Sequence, residues 1–383
     1  MTDAPASASR AVAPFSFLGS DHPLAPRLQR FRAAIAARAL DVTGATVHTD
    51  LTLRPAADGG LELHRAYWSL QSSGPDGFRA TTLDYRAARD RATWLEFPDD
   101  PELPALPDLA GEVLRYMPLR RCTALAEDAV VKVKRPHRAA AAWALLGAVH
   151  RALGDGRAEF AVPAPVSYDA DRALYGQTTV AGEDLSALID GPDLLRPAGA
   201  LHRAMHAADV PGVPAEEPAQ ALAELRADAR WVAFALPEHA EVVREVVAAL
   251  ERHAPGPPSA PAFCHGDLVP SQLLVDGDRW AITDFDGARA GDPQRDLAVW
   301  LASLTSDVPA LARAAEAGDD AVVERAEAAY LDGYGPHDER RLRWHRAAAE
   351  VHSAAVALKK DRHHPARRAR ALRVARVNAE TLR

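Results

Sequence analysis

The sequence predicts a two-lobed α+β protein, with strands dominating residues 41–180 and helices dominating 181–383. Three observations predict it. Extended, β-branched segments separated by Gly and Asp clusters fill the first half, a hairpin texture. Ala- and Leu-rich helical patterns fill most of the region beyond residue 195. A chain of 383 residues is long enough for two structural units. Strands first and helices later is the order of an α+β architecture rather than of alternating βαβ units.

The elements follow in order. Residues 1–40 read as an N-terminal arm followed by a helix, with helical spacing over 24–40 (LAPRLQRFRAAIAARAL). Ala45–Arg54, Leu61–Gln71 and Phe78–Tyr85 read as strands, set apart by ADGG and SSGPDG. The Pro-rich, acidic run 97–109 reads as a loop. EVLRYMPLRRCTALAEDAVVKVKRP, from residue 112, reads as two or three strands, the last being Ala129–Lys134, stopped by Pro136. Residues 137–153 form a helix by Ala and Leu content. A strand pair follows around Ala161–Tyr168 and Leu174–Val180. Beyond Gly182 the chain is helical except for 262–286.

Composition narrows the function classes. Apolar residues are 48% and charged residues 26%, which excludes a disordered chain. The net charge of −8 argues against nucleic acid as a partner. Only Cys122 and Cys264 occur, so a disulfide framework and a four-cysteine zinc site are excluded. No apolar run reaches the length of a membrane span, and MTDAPASASRAVAPF lacks the pattern of a secretory signal. The expectation is a cytoplasmic protein with no membrane partner.

The chemistry concentrates in 263–300, FCHGDLVPSQLLVDGDRWAITDFDGARAGDPQRDLAVW. Phosphoryl transfer to a hydroxyl needs a carboxylate to orient the hydroxyl and take its proton. It also needs oxygen ligands for Mg²⁺ and a cation on the nucleotide phosphates. Asp267 follows His265 and Gly266 on a tight turn. Gln272 offers an amide oxygen five residues on. Leu273–Val275 and Trp280–Thr283 flank DGD as a hairpin whose second strand ends in Asp284, Phe285 and Asp286. Such a hairpin brings Asp284 close to Asp267 and Gln272.

These residues resemble the aminoglycoside phosphotransferase and choline-kinase-like family, the small-molecule relatives of protein kinases. The family pattern is H-G-D, an Asn five residues later, an I-D-F/W-D/E strand end, then G-D-P-x-x-D-L-A. This sequence has His265-Gly266-Asp267, Gln272, Ile282-Thr283-Asp284-Phe285-Asp286, and Gly291-Asp292-Pro293 with Asp296-Leu297-Ala298. The resemblance is specific over about 40 residues and fainter from about 112 to 335. It implies a protein-kinase-like fold, with a nucleotide-binding N-lobe over 41–180 and a C-lobe over 181–383 that carries the catalytic loop and acceptor site. It further implies that Asp267 is the catalytic carboxylate and that Asp284 and Gln272 bind the metal. Gln272 departs from the family's usual Asn and is similar to maltokinase-type members. Asp296 and His265 are expected to brace the loop.

The resemblance also asks for a lysine on a strand of the N-lobe. The chain has only four lysines among 45 Lys plus Arg residues, and two of them, Lys132 and Lys134, share one face of the strand Ala129–Lys134. Lys132 is the expected phosphate-binding cation. A charged edge strand is the alternative reading. The helix that should supply its carboxylate partner, 137–153, contains no Glu or Asp. Thr178 and Val180, in QTTVAG, resemble the link between lobes whose backbone contacts the purine. The implied cofactors are ATP, or GTP, and Mg²⁺. The implied partner is a small-molecule acceptor or, alternatively, a precursor peptide whose Ser or Thr is phosphorylated. A nucleotide-binding scaffold without turnover is a third reading. The last 46 residues, 338–383, carry 13 Lys plus Arg against 5 acids and read as basic helices folded on an acidic body; the alternative reading is a dock for an anionic partner, such as an acidic leader peptide or a phosphorylated product.

Overall fold

The computed structural model describes residues 13–382 apart from 39, 42–43, 57–59, 76, 192 and 362–363. Most of the expected N-terminal arm therefore lies outside the described residues. From residue 13 onward the chain is packed, with Phe15 and Leu18 buried against the first helix, α1 (Ala25–Ala37). Both are large apolar side chains whose burial outweighs the entropy of ordering the segment.

The strands of 41–180 form two antiparallel sheets rather than one. The first has the order β1 (Thr46–Pro55), β2 (Leu61–Gly74), β3 (Gly77–Arg86), β4 (Arg91–Glu96). The second comprises β5 (Glu112–Met117), β6 (Arg121–Leu125), β7 (Ala129–Lys134), β8 (Pro165–Asp169) and β9 (Leu174–Thr178), in the order β5-β6-β7-β9-β8. The reason for the split is where the apolar faces go. Trp68, Leu83 and Tyr85 of the first sheet are buried against the helical half of the molecule, together with Trp231, Trp344 and Val351. A smaller cluster, Ala80, Leu103, Leu106, Tyr116, Cys122 and Val133, joins the first sheet to the second. Between β7 and β8 runs α2 (Pro136–Leu153), started by Pro136, whose fixed φ suits the first helical turn.

The second half is helical. After the short strand β10 (Glu183–Asp184) and α3 (Leu185–Leu188) come α4 (Leu195–His206), α5 (Pro218–Ala235) and α6 (Ala240–Arg252). Four short strands follow: β11 (Ala262–Cys264), β12 (Leu273–Asp276), β13 (Arg279–Ile282) and β14 (Arg289–Gly291). The last five helices are α7 (Pro293–Asp307), α8 (Pro309–Ala317), α9 (Asp320–Tyr334), α10 (Glu339–Lys359) and α11 (Pro365–Glu380). The Gly291-Asp292-Pro293 motif starts α7: the Asp292 carboxylate accepts the Gln294 N–H at 3.0 Å, and Pro293 occupies the first turn. Trp300 of α7 stacks on Tyr330 of α9 with centroids 4.8 Å apart, in a core shared by α2, α4, α7 and strands β11, β12 and β13. Among the described residues, no helix is long and apolar enough to cross a membrane.

The basic C-terminal helices are tied in by buried charge. Arg346 bonds Glu350 at 2.8 Å and Glu327 at 2.8 Å, and Glu327 also receives Arg370 at 3.0 Å. Every member has a partner, which is the condition for a charge cluster to persist in a core.

Candidate active site

The loop after β11 is shaped by one glycine. Gly266 has φ +85°, and a Cβ there would lie 2.3 Å from the Gly287 carbonyl oxygen and 2.5 Å from the Arg289 guanidinium. No side chain fits, so the turn that presents Asp267 requires glycine. The loop is held from behind. The Asp296 carboxylate, at the start of α7, accepts the backbone N–H groups of His265 and Gly266, the latter at 2.9 Å. His265 is fully buried, and its Nε2–H donates to the Thr283 carbonyl at 2.9 Å, linking the loop to the end of β13. Asp296 and His265 thus brace the loop as the sequence suggested.

Behind Asp296 stand His202 and His206 of α4, which the sequence analysis did not single out. With Asp296 they bring donor atoms within 4.8 Å of one another, a spacing that suits a metal. Most of those donors are already engaged: His206 Nε2 meets the Asp296 carboxylate at 3.4 Å, while His202 Nε2 lies 3.6 Å from it without a hydrogen bond. Both Asp296 oxygens receive backbone N–H groups, His202 Nδ1 meets the Tyr330 hydroxyl, and His206 Nδ1 meets the Tyr334 hydroxyl at 2.9 Å. The cluster is a brace. Burial favours the uncharged form of Asp296, but the two histidines hold its carboxyl well below the usual value. Burial pushes His202 down to about 4, so that ring is neutral at physiological pH.

β12 and β13 pair from Leu273↔Ile282 to Asp276↔Arg279, the hairpin read from the sequence. Past β13, Asp284 adopts a left-handed backbone, φ +65° and ψ +47°. An L-residue pays about 1–2 kcal/mol for that conformation. It turns the Asp284 and Asp286 carboxylates toward β7. Lys132 Nζ donates to Asp284 Oδ1 at 2.8 Å, and Lys134 Nζ donates to Asp286 Oδ2. Both lysines therefore leave one face of β7, as strand alternation requires. Arg121 lies 3.7 Å from each carboxylate, placed there because β6 pairs Arg121 with Lys134. The Tyr175 hydroxyl, from the residue paired with Lys132 on β9, donates to Asp286 at 3.0 Å.

This cluster supplies the counter-ion that α2 lacks: Lys132 pairs with the strand end itself. Burial alone would raise the Asp284 carboxyl, but Lys132 and Arg121 pull it far below the usual carboxylate range. It is an ionised oxygen donor at any physiological pH, and such a donor suits Mg²⁺. Gln272 adds an amide oxygen of the same hard character. That oxygen accepts the Val269 N–H at 3.1 Å, capping the turn Pro270–Gln272. A bound Mg²⁺ would be held by Asp284, with Gln272 as the amide candidate, and would offset charge on the nucleotide phosphates.

The recess between the lobes, lined by Lys132, Gln177, Asp284 and Asp286 among others, measures about 10 Å³. The ion pairs hold it shut. Of the two candidate linker residues, Thr178 is engaged with Ala164, its N–H donating to the Ala164 carbonyl at 2.9 Å. The Val180 main chain has no backbone partner among the described residues.

Asp267 is open to a cavity of about 440 Å³ between α7, α10 and the start of α11, within electrostatic reach of Asp284 and Arg121. Protein atoms crowd the carboxylate, and that desolvation raises its pKa. Asp284 adds to the rise, while His265, His352 and Arg121 oppose it. His352 of α10 is a further residue that sequence reasoning missed. It also bonds Asp228 at 2.6 Å, which receives Lys359 at 2.9 Å.

A family model for the phosphotransferase enzyme family matches residues 120–345. The chain belongs to that family. The match begins at the turn before β6 and ends in α10, so it takes in the second sheet from β6 onward and the whole catalytic region. No curated protein matches the phosphotransferase significantly. Among solved structures it is similar to a macrolide 2′-phosphotransferase from Brachybacterium faecium, with 22% identity over 67% of this chain and 88% of that one, TM-score 0.40. It is also similar to a choline kinase from Streptococcus pneumoniae, with 14% identity, 71% and 94% coverage and TM-score 0.48. A choline/ethanolamine kinase family protein from Mesorhizobium loti shares 19% identity over 72% and 95%, TM-score 0.44. The phosphotransferase has the two-lobed, kinase-like fold read from its sequence.

Proposed function

We propose that this phosphotransferase moves the γ-phosphoryl group of ATP, or of GTP, to a hydroxyl of a small molecule in a Mg²⁺-dependent reaction. The observation that carries the reading is the Lys132–Asp284 contact at 2.8 Å, which joins the strand lysine of one lobe to the carboxylate that ends the catalytic hairpin of the other. Phosphoryl transfer depends chiefly on positioning and on charge placed around the phosphates. The arrangement has those parts: Lys132 and Arg121 as cations, Asp284 and Gln272 as oxygen donors, and Asp267 on a glycine-shaped loop beside a cavity.

In the reaction the acceptor oxygen bonds to the γ-phosphorus while the bond from that phosphorus to the β,γ-bridging oxygen breaks, and the nucleoside diphosphate leaves. Asp267 orients the acceptor hydroxyl and receives its proton late in the transfer. The Val180 backbone is the candidate contact for the base. A cavity of about 440 Å³ is the size of a sugar-like acceptor and supports a small molecule over a precursor peptide.

Isothermal titration with ATP and GTP, each with and without Mg²⁺, tests the nucleotide half of the proposal. Mg²⁺-dependent binding of one of them is expected. Failure to bind either, with the protein folded, would leave a family member that has lost its chemistry.

A further inference from the structure

Resting on that reading, we propose that the acceptor is an anionic alcohol: a small molecule carrying a phosphate, carboxylate or sulfate group as well as the hydroxyl that is phosphorylated.

The cavity beside Asp267 is lined by four Lys and Arg side chains, Arg115, Lys360, Arg367 and Arg368, against two carboxylates, Asp267 and Asp307. Asp267 is reserved for the hydroxyl. Asp307 is engaged by the Ser271 N–H at 2.7 Å, and burial pushes its carboxyl up, toward the uncharged form. Arg115 acts on Asp307 and Lys360 on Asp50, outside the cavity; cationic side chains still outnumber acidic ones, so by count the lining is positive. A polycationic acceptor would enter against it, whereas an anionic one enters with it.

Arg368 carries the proposal. No carboxylate among the described residues lies within ion-pair distance of it, and Glu238 acts on it only from beyond that range. Its Nε is buried and has no hydrogen-bond partner among the described residues, and the same holds for Nδ1 of His364 on the same rim. Arg367 is partly neutralised, 3.0 Å from Glu316 and donating to the Thr305 carbonyl at 3.2 Å. Arg367 and Arg368 also sit in the first turn of α11, where the helix dipole disfavours cations. Unpaired cations there are costly unless an anion joins them.

The position of these residues in the chain separates them from the common machinery. Arg115 precedes the family match, while Lys360, His364, Arg367 and Arg368 follow it. The catalytic parts lie inside the match and the cationic lining outside it.

The test uses the full chain and matched acceptors: glucose, glucosamine, gluconate and glucose 6-phosphate, then glycerol, ethanolamine, glycerate and glycerol 3-phosphate. Transfer is read from radiolabelled ATP. The anionic members should exceed their neutral and amine counterparts in kcat/KM by about tenfold or more, the effect of one charge-assisted contact. Arg368→Gln should remove that advantage through KM with little change in kcat, and Arg368→Lys should restore part of it. Preference for the amines, or equal use of all members, overturns the proposal. If no probe is phosphorylated, inorganic phosphate decides: it should raise the melting temperature of the wild type and of Lys132→Met, but not of Arg368→Gln. No shift in the wild type, or an equal shift in Arg368→Gln, overturns the proposal. Mg²⁺–ATP titration of the same samples keeps the two readings apart, since lost nucleotide binding with the phosphate response intact would sink the kinase reading alone.

Discussion

The Lys132 ammonium sits 2.8 Å from the Asp284 carboxylate, across 152 residues of sequence and across the division between sheet and helices. In the absence of an acid on α2, the lysine proposed for the nucleotide phosphates finds its counter-ion in the residue proposed to hold the metal. Lys134 repeats the pattern with Asp286 two residues on. Burial lowers the Lys134 pKa and Asp286 opposes that shift, so each ion pair depends on both members staying charged. On the proposed reading, nucleotide and metal enter between groups that already neutralise one another.

Lys132→Met is therefore expected to act on binding and stability together. Removing the cation leaves Asp284 with Arg121, at 3.7 Å, as its nearest remaining support. Breaking a largely buried pair by removing one partner costs up to about 3–5 kcal/mol, less here because Arg121 remains and Asp284 is partly exposed. Thermal melts should show a clear loss of stability, and titration should show much weaker nucleotide binding. Added Mg²⁺ should recover part of the stability by replacing the missing charge on Asp284. A variant as stable as wild type and still binding ATP normally would show that Lys132 is only an edge-strand charge.

The brace behind the loop predicts a pH dependence of stability. His202 titrates near 4 in the folded state because burial disfavours its charged form, against an ordinary value of 6.5. The unfolded chain then takes up a proton that the folded chain refuses. Stability should be complete above pH 6.5 and fall as the pH drops from there toward about 4. The Asp296 contribution, from a depressed carboxyl, persists through that window and is lost only below the ordinary carboxylate range. Denaturant melts across the window should show this slope, and His202→Gln should flatten it while leaving Tyr330 a partner. Asp296→Ala should be the most damaging change in the brace, costing about 3–5 kcal/mol and freeing the His265 and Gly266 N–H groups.

How much of this was legible beforehand depended on range. Local chemistry was readable: Asp292 with Pro293 marks a helix start, Gly266 a turn, and alternation puts Lys132 and Lys134 on one face. The lysine's counter-ion was not, because it depends on how β7 docks on the hairpin. Arg121 entered the site through strand register, which a one-residue slip would have reversed. That the buried Trp68 and Tyr85 of the first sheet join one core with Trp231 and Trp344, more than 100 residues away, is encoded in no local pattern. The basic C-terminal residues read as helices folded on an acidic body, but composition does not say which of their arginines face a cavity.

Gln272→Asn separates two roles of one side chain. The Gln272 amide oxygen accepts the Val269 N–H at 3.1 Å, and the shorter Asn will not reach it in the same way. Stability should fall by about 0.5–1.5 kcal/mol, the net worth of one hydrogen bond. Turnover should change little, because Asn restores the amide usual at the metal position. A large loss of turnover with normal stability would mean that the longer side chain is required at the metal.

Asp267→Asn should abolish transfer and leave Mg²⁺-dependent nucleotide binding nearly intact. In the proposed reaction Asp267 acts on the acceptor hydroxyl, and a positioned base contributes on the order of 10²–10⁴ in rate. Asp284→Asn should instead lose both turnover and Mg²⁺-dependent affinity, since it removes a charged donor from the nucleotide side. Stability provides an independent check. Crowding by protein atoms raises the Asp267 pKa, with Asp284 adding to it, so ionising this group works against folding. Its stabilising influence is present below the unfolded-state value and is lost as pH rises through the folded-state value. At neutral pH the metal-free Asp267→Asn protein should therefore melt at or slightly above the wild-type temperature. In the wild type, turnover should fall on acidification at a pH above the ordinary Asp range, as the raised carboxyl takes up its proton. An Asp267→Asn protein that kept near-normal turnover on an identified acceptor would remove Asp267 from the chemistry, and a marked drop in its melting temperature would show that the carboxylate serves the fold instead.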